Sequence, residues 1–145
     1  MQSMTREQAH GFAARWLPAW TGNDPEKLAS FYTDDVFYCD PTVPEGLEGK
    51  PAFLRYLSKL LADNPAWVWT QKDAIPMDGG FLNKWKVTVP VGDEVVICHG
   101  VCTVQFRGSL IRRNEVYFDS LPLISAIRNW NRRKRAGTCL RGGNR

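Results

Sequence analysis

Two hydrophobic periods divide the chain. Thr5 and Gln8 have the spacing of a capping box. Phe12, Trp16 and Trp20 then recur every four residues, the stripe of a helix whose one face is buried. Pro18 falls inside that stripe and should kink or break the helix. After Gly22, Asp24-Pro25-Glu26 reads as an N-cap, a first-position proline and a first-turn acid, opening a short second helix that buries Leu28, Phe31 and Tyr32. A first strand is predicted at Val36–Asp40, followed by a Pro- and Gly-rich loop from Pro41 to Gly49. Pro51 starts a third helix with the apolar face Phe53, Leu54, Leu57, Leu60 and Leu61, stopped at Asn64-Pro65. Four strand patterns close the pass: Trp67–Ile75, Phe81–Val89, Glu94–Phe106 and Leu110–Asp119. Asp78-Gly79-Gly80, Gly92-Asp93 and Arg107-Gly108-Ser109 separate them with turn chemistry. The order is helix, helix, strand, helix, four-strand meander. Long strands of this kind twist and curl, and helices cover one face of the sheet, which makes the chain α+β.

The first and last strand patterns both end in an aspartate. Alternation puts Val36, Tyr38 and Asp40 on one face, and Glu115, Tyr117 and Asp119 on one face. If both faces look inward, Asp40 and Asp119 bring two carboxylates into one apolar pocket, with Tyr38 as a hydrogen-bonding neighbour. Burial raises the pKa of carboxyl groups and suits them to proton transfer. The plainer reading is that each aspartate stops its strand and opens a turn.

Composition changes this picture little. At 145 residues, with 43% hydrophobic and 23% charged side chains, the chain is one ordinary globular domain. Six tryptophans are many for this length, and aromatic side chains often line small-molecule pockets when they are not simply core. No run of 18 apolar residues predicts a membrane span, and residues 1–6 lack the apolar stretch of a signal peptide, so a cytoplasmic location is expected. Cys39, Cys98, Cys102 and Cys139 lack metal-ligand spacing, and with only His10 and His99 beside them no metal site is expected. Cys98 and Cys102 are about 13 Å apart on an extended strand, beyond disulfide reach, so free buried thiols are expected. The net charge of +4 belongs to one end: residues 128–145 hold seven basic side chains and no acid, leaving −3 for residues 1–127. This divides the chain into a domain at 1–127 and a basic tail at 128–145. The tail has no recognition motif and only Trp130 as an interleaved aromatic, so a solvated, frayed terminus is expected rather than a nucleic-acid contact.

Several phrases resemble one known family. Gly22-Asn23-Asp24, Phe31-Tyr32-Thr33-Asp34-Asp35-Val36, Asp40-Pro41, Leu47-Glu48-Gly49-Lys50-Pro51 and the closing Asn114-Glu115-Val116-Tyr117-Phe118-Asp119 look like the nuclear transport factor 2-like superfamily and its SnoaL-like domains. The resemblance covers roughly residues 5–127. It implies a cone-shaped α+β barrel, three N-terminal helices packed on a strongly curved mixed, mostly antiparallel sheet, enclosing a pocket. That superfamily holds enzymes, binding proteins and assembly domains, so function must come from the site.

Three subfamilies imply different roles. In ketosteroid isomerases the base is an Asp at the end of the first strand before a Pro, which Asp40 matches. Their oxyanion donors are a Tyr on the first helix and a protonated Asp on the third meander strand. Trp16 and a position near Cys102 stand there instead, and only a Trp N–H could replace one donor. In limonene-epoxide-hydrolase-like enzymes a Tyr and an Asn two apart hold a water. Tyr38 and Asp40 take those places, and Asp119 matches the acid–base carboxylate, but the Arg and Asp two apart on the second meander strand are missing from Leu82-Asn83-Lys84-Trp85-Lys86. SnoaL-like polyketide cyclases and dehydratases ask only for a pocket and an Asp ending the last strand, the position of Asp119.

The combined expectation is cofactor-free acid–base chemistry on a small lipophilic molecule: isomerisation, cyclisation, hydration or dehydration. Asp40, Asp119 and Tyr38 would be catalytic, and Trp16, Trp85, Tyr117, Glu115 and Cys102 would contact substrate. The alternative is a non-catalytic binding or association domain. On the strand Glu94–Phe106 both faces are mostly apolar, with Val95, Ile97 and Val101 opposite Val96, Cys98, Cys102, Val104 and Phe106. So apolar an outer face favours a homodimer through the convex side of the sheet, as this superfamily also does.

Overall fold

The computed structural model describes residues 3–142, with side chains through residue 137. Helix α1 (Arg6–Trp16) opens with Thr5 as N-cap and the complete capping box with Gln8. It stops where Pro18 would cost a hydrogen bond, and the chain tightens into a 3-10 turn, Leu17–Trp20. Helix α2 (Pro25–Ala29) is capped by the Asp24 side chain on the Lys27 N–H. Helix α3 (Lys50–Asp63) buries Phe53, Leu57 and Leu61. The strands are β1 (Tyr32–Asp40), β2 (Val43–Glu48), β3 (Val68–Met77), β4 (Gly80–Val91), β5 (Glu94–Arg107) and β6 (Leu110–Phe118). They form one sheet in the order β2-β1-β6-β5-β4-β3. Among the described residues only β1 and β6 pair in parallel, so the sheet is mixed and mostly antiparallel. It is curved but not closed into a barrel. Bulges between Gln71 and Asp73 and between Gln105 and Phe106 add local bend to the twist of the long strands. The core lies between the concave face and α1, α2 and α3, centred on Trp16, Tyr32, Phe53, Phe81 and Trp85.

The expected loop at Pro41–Gly49 contains β2, paired antiparallel to β1 through Phe37↔Glu48 and Tyr38↔Leu47. Proline and glycine read as loop because they break central strands, but an edge strand tolerates both. Pro44 sits on the free edge, and Gly46, at φ +93°, leaves room for the Phe37 ring, which a Cβ there would meet at 2.3 Å. Strand β1 starts four residues earlier than predicted, at Tyr32. Its interrupting acids point outward, Asp35 to Arg107 at 2.8 Å and Asp34 to Lys50 at 3.6 Å.

The chain after β6 also differs from expectation. Helix α4 (Leu121–Gly142) runs through the expected domain boundary at residue 127 and through the basic segment. Cys139 and residues 143–145 of that segment lie outside the described side chains. Trp130 anchors the helix by packing on Gly92 in the β4–β5 turn, while Arg133 reaches Asp93 at 3.5 Å and Glu94 at 3.4 Å. Gly92 has φ +61°, and a Cβ there would sit 2.3 Å from the Trp130 ring. Gly92→Ala should therefore cost about 1–3 kcal/mol and loosen α4 selectively. Hydrogen exchange should speed up along α4 while β4 and β5 stay protected; unchanged protection of α4 would show that this contact does not hold it.

Candidate active site

A cavity of about 410 Å³ lies between the concave sheet face and the helices. Strand β1 contributes Tyr38 and Asp40, and β6 contributes Asn114, Val116 and Phe118. Cys102 comes from β5, Trp85, Val87 and Val89 from β4, and Trp69 from β3. The helical side supplies Trp16, Trp20, Tyr56 and Leu60, and Leu123, Ile124 and Ile127 of α4 close one end. A larger groove of about 890 Å³, between α1 and the hairpin turns, is open and lined partly by glycines. Asp40 also borders a shallower groove of about 480 Å³ with Cys39, Pro44 and Tyr117. The first cavity is the candidate site because it is the most enclosed of the three and joins the buried carboxylate to a wall of aromatic rings.

Asp40 is 8% exposed, and both of its carboxylate oxygens accept hydrogen bonds. Its Oδ1 accepts from the Thr42 N–H at 2.7 Å and the Val43 N–H at 3.2 Å, which turns the chain from β1 into β2. Its Oδ2 accepts from the Tyr38 hydroxyl at 2.8 Å and the Tyr56 hydroxyl at 2.6 Å. Burial, with the nearby carboxylate adding to it, pushes both phenols above the usual tyrosine range, so they remain donors. Tyr56 was not foreseen. It lies three residues after Phe53 and four before Leu60, on the stripe that turns α3 toward the sheet, and that spacing is the signal that could have found it.

Deeper in, Trp16 Nε1 donates to the Tyr32 hydroxyl at 3.1 Å, which donates to Asn114 Oδ1 at 2.9 Å. Asn114 Nδ2 in turn donates to the Thr103 carbonyl at 3.1 Å. The Trp16 N–H is thus committed to Tyr32 and does not stand free as an oxyanion donor. The Cys102 thiol is fully buried and pushed up to about 12 by that burial, so it is a neutral wall.

Asp119 is elsewhere. On β6 the inward positions are Asn114, Val116 and Phe118, so alternation sends Glu115 and Tyr117 outward, and Asp119 lies one residue past the end of the strand, outside the cavity lining. The face that Glu115 and Tyr117 share is the convex one. Asp119 is exposed, and its Oδ1 accepts from the Leu121 N–H at 3.0 Å at the start of α4. Glu115 pairs with Arg113 at 2.6 Å, and Tyr117 is 53% exposed. The two aspartates therefore do not flank one cavity, and the paired-carboxylate geometry is not formed. Of the expected residues, Asp40, Tyr38, Trp16, Trp85 and Cys102 come together; Asp119, Tyr117 and Glu115 do not. The parallel register Tyr38↔Asn114 is the reason, since it sets Asn114 beside Tyr38 and Asp40 on the inner face.

The match to known proteins agrees with this architecture. The SnoaL-like domain family matches residues 13–114, and the chain belongs to that family. A protein with a ketosteroid isomerase-like fold from Catenulispora acidiphila, solved in complex with trimethylamine, superposes with a TM-score of 0.70 at 16% identity, covering 79% of this chain and 89% of its own. A provisionally named SnoaL-like polyketide cyclase from Shewanella putrefaciens gives a TM-score of 0.70 at 13% identity, over 83% of this chain and 85% of its own. A provisionally named ketosteroid isomerase from Kribbella flavida gives 0.60 at 22% identity, over 79% of each chain. At such identities these similarities show the fold. No curated protein matches the chain. Among the described residues no helix is long and apolar enough to cross a membrane, and no three His, Cys, Asp or Glu cluster as metal ligands.

Proposed function

We propose that the chain binds a small lipophilic molecule in the aromatic cavity and that Asp40, held by Tyr38 and Tyr56, exchanges a proton with it. The reaction class is isomerisation, cyclisation, hydration or dehydration, without a cofactor. One observation carries this reading: a buried carboxylate on the wall of an apolar cavity, oriented by two phenols that keep their protons. Such an arrangement supplies a positioned base in a site that excludes water. Trp16, Trp85 and Cys102 are walls in this reading, and Asp119 has no part in it.

A second reading, a domain that binds without turnover, is favoured by a specific feature: Asp40 already accepts four hydrogen bonds before any ligand arrives. The two separate cleanly. A thermal-shift screen of lipophilic ketones, epoxides and polyketide-like aromatics should raise the melting temperature with at least one compound, and incubation should convert it, as followed by mass spectrometry. A tight ligand recovered unchanged would leave only the binding reading.

We further propose a homodimer through the convex sheet face. Val95 is 64% and Ile97 51% exposed there, and further along the same face Tyr117, opposite Val101, is 53% exposed, an apolar surface that association would cover. Sedimentation at micromolar concentration should give twice 16.5 kDa; a monomer would overturn the proposal. The buried free thiols Cys39, Cys98 and Cys102 fit a reducing, cytoplasmic compartment.

A further inference from the structure

The charge balance of the cavity identifies a ligand class. Among the described residues, Asp40 is the one charged side chain that lines it, and no Lys, Arg or His does. Among the described residues the ion pairs lie elsewhere, and none includes Asp40. A buried carboxylate is normally balanced by a cation. Around it runs a continuous aromatic wall. Trp20 lies 6.0 Å from Tyr38 and 5.8 Å from Trp69, and Trp69 lies 4.7 Å from Trp85, centroid to centroid. The faces of such rings are electron-rich and attract cations within about 6 Å, tryptophan most strongly.

The hydrogen bonds narrow the class further. Both oxygens of Asp40 are already supplied with donors, two N–H groups on Oδ1 and two hydroxyls on Oδ2. A primary ammonium brings three N–H donors that need acceptors and would have to displace the phenols. A tertiary or quaternary ammonium brings one or none, and its alkyl groups pack on indole faces. From this geometry we propose that the cavity takes a lipophilic tertiary or quaternary ammonium, its charge facing Asp40 across the aromatic wall. This names the ligand class of the site in Proposed function, rests on that cavity being a ligand site, and requires no turnover.

The test is calorimetric titration of the full chain with benzyltrimethylammonium and with neopentylbenzene, its neutral carbon isostere. The cation should bind at least about tenfold more tightly. Asp40→Asn should remove most of that preference and leave the isostere's affinity nearly unchanged. Trp69→Leu should weaken the cation by about tenfold and affect the isostere less. The two variants disturb the fold differently, since Trp69→Leu breaks no hydrogen bond of the Trp69 Nε1–H and touches only ring packing, and retained binding of the isostere reports that each variant is folded. Equal affinity for cation and isostere would overturn the ammonium assignment and leave the cavity a site for neutral lipophiles. A preference that survives both substitutions would put the cation outside this cavity and overturn the assignment too. Binding of neither compound would count against the cavity as a ligand site and so against the proposed function as well.

Discussion

Asp40→Asn is expected to lower turnover by about 10²–10⁴-fold, the usual contribution of a positioned base. The substitution preserves shape. The amide oxygen still accepts from the Thr42 and Val43 N–H groups, and the amide nitrogen meets two hydroxyls, Tyr38 and Tyr56, that can rotate to accept from it. What disappears is a group that takes up a proton. Affinity for an uncharged ligand should change little, because the loss falls on the transition state. Asp119→Asn is the matched control. Its carboxylate lies outside the cavity, so turnover should stay within about twofold of the unsubstituted protein. Rates measured on the same substrate decide the matter. An Asp40→Asn protein that turns over normally would remove Asp40 from the chemistry, and a large loss in Asp119→Asn alone would point to a site outside this cavity.

The largest expected effect on stability is that of Trp85→Ala, about 3–5 kcal/mol. Trp85 is 1% exposed on the inner face of β4 and stands directly opposite Gly100 on β5. Its ring lies over that glycine so closely that a Cβ at Gly100 would be 2.5 Å from it. It also meets Trp69 at 4.7 Å and Phe118 at 5.5 Å between centroids. Removing the ring opens a void in the floor of the cavity and uncovers the Gly100 backbone, so the lost burial is not recovered by collapse. Urea denaturation should show a lower midpoint at an unchanged slope. A loss below about 1 kcal/mol would mean that the surrounding rings close the gap, which the rigid Trp69 and Phe118 contacts argue against.

Much of the fold was legible because it depends on local rules. The capping box at Thr5 and Gln8, the break at Pro18, the Asp24 cap with Pro25 and the stop at Asn64 each act within a few residues, and each occurs in the structure. The meander strands appear within two residues of their predicted ends, because alternation and Gly-Asp turns are local as well. Strand β2 was missed since only pairing with β1 makes an edge strand of a Pro- and Gly-rich segment. Helix α4 was missed since its anchor, Trp130 on Gly92, joins residues far apart in the chain.

By itself the sequence determined which residues share a face. Val36, Tyr38 and Asp40 form one set on β1, and Glu115 and Tyr117, with Asp119 just past the strand's end, another at β6. It could not say which way the second set looks. A strand offers its two faces symmetrically, and a shift of one residue exchanges them. The parallel register that sets Asn114 beside Tyr38 made that choice, burying Asn114 in the Tyr32 network and sending Asp119 to solvent. Tertiary structure likewise brought Tyr56 from α3 onto Asp40, a contact across 16 residues that no spacing along β1 reveals. One carboxylate with two phenols, rather than two carboxylates, is therefore a product of packing, while the aspartate itself and its place before Pro41 were written in the chain.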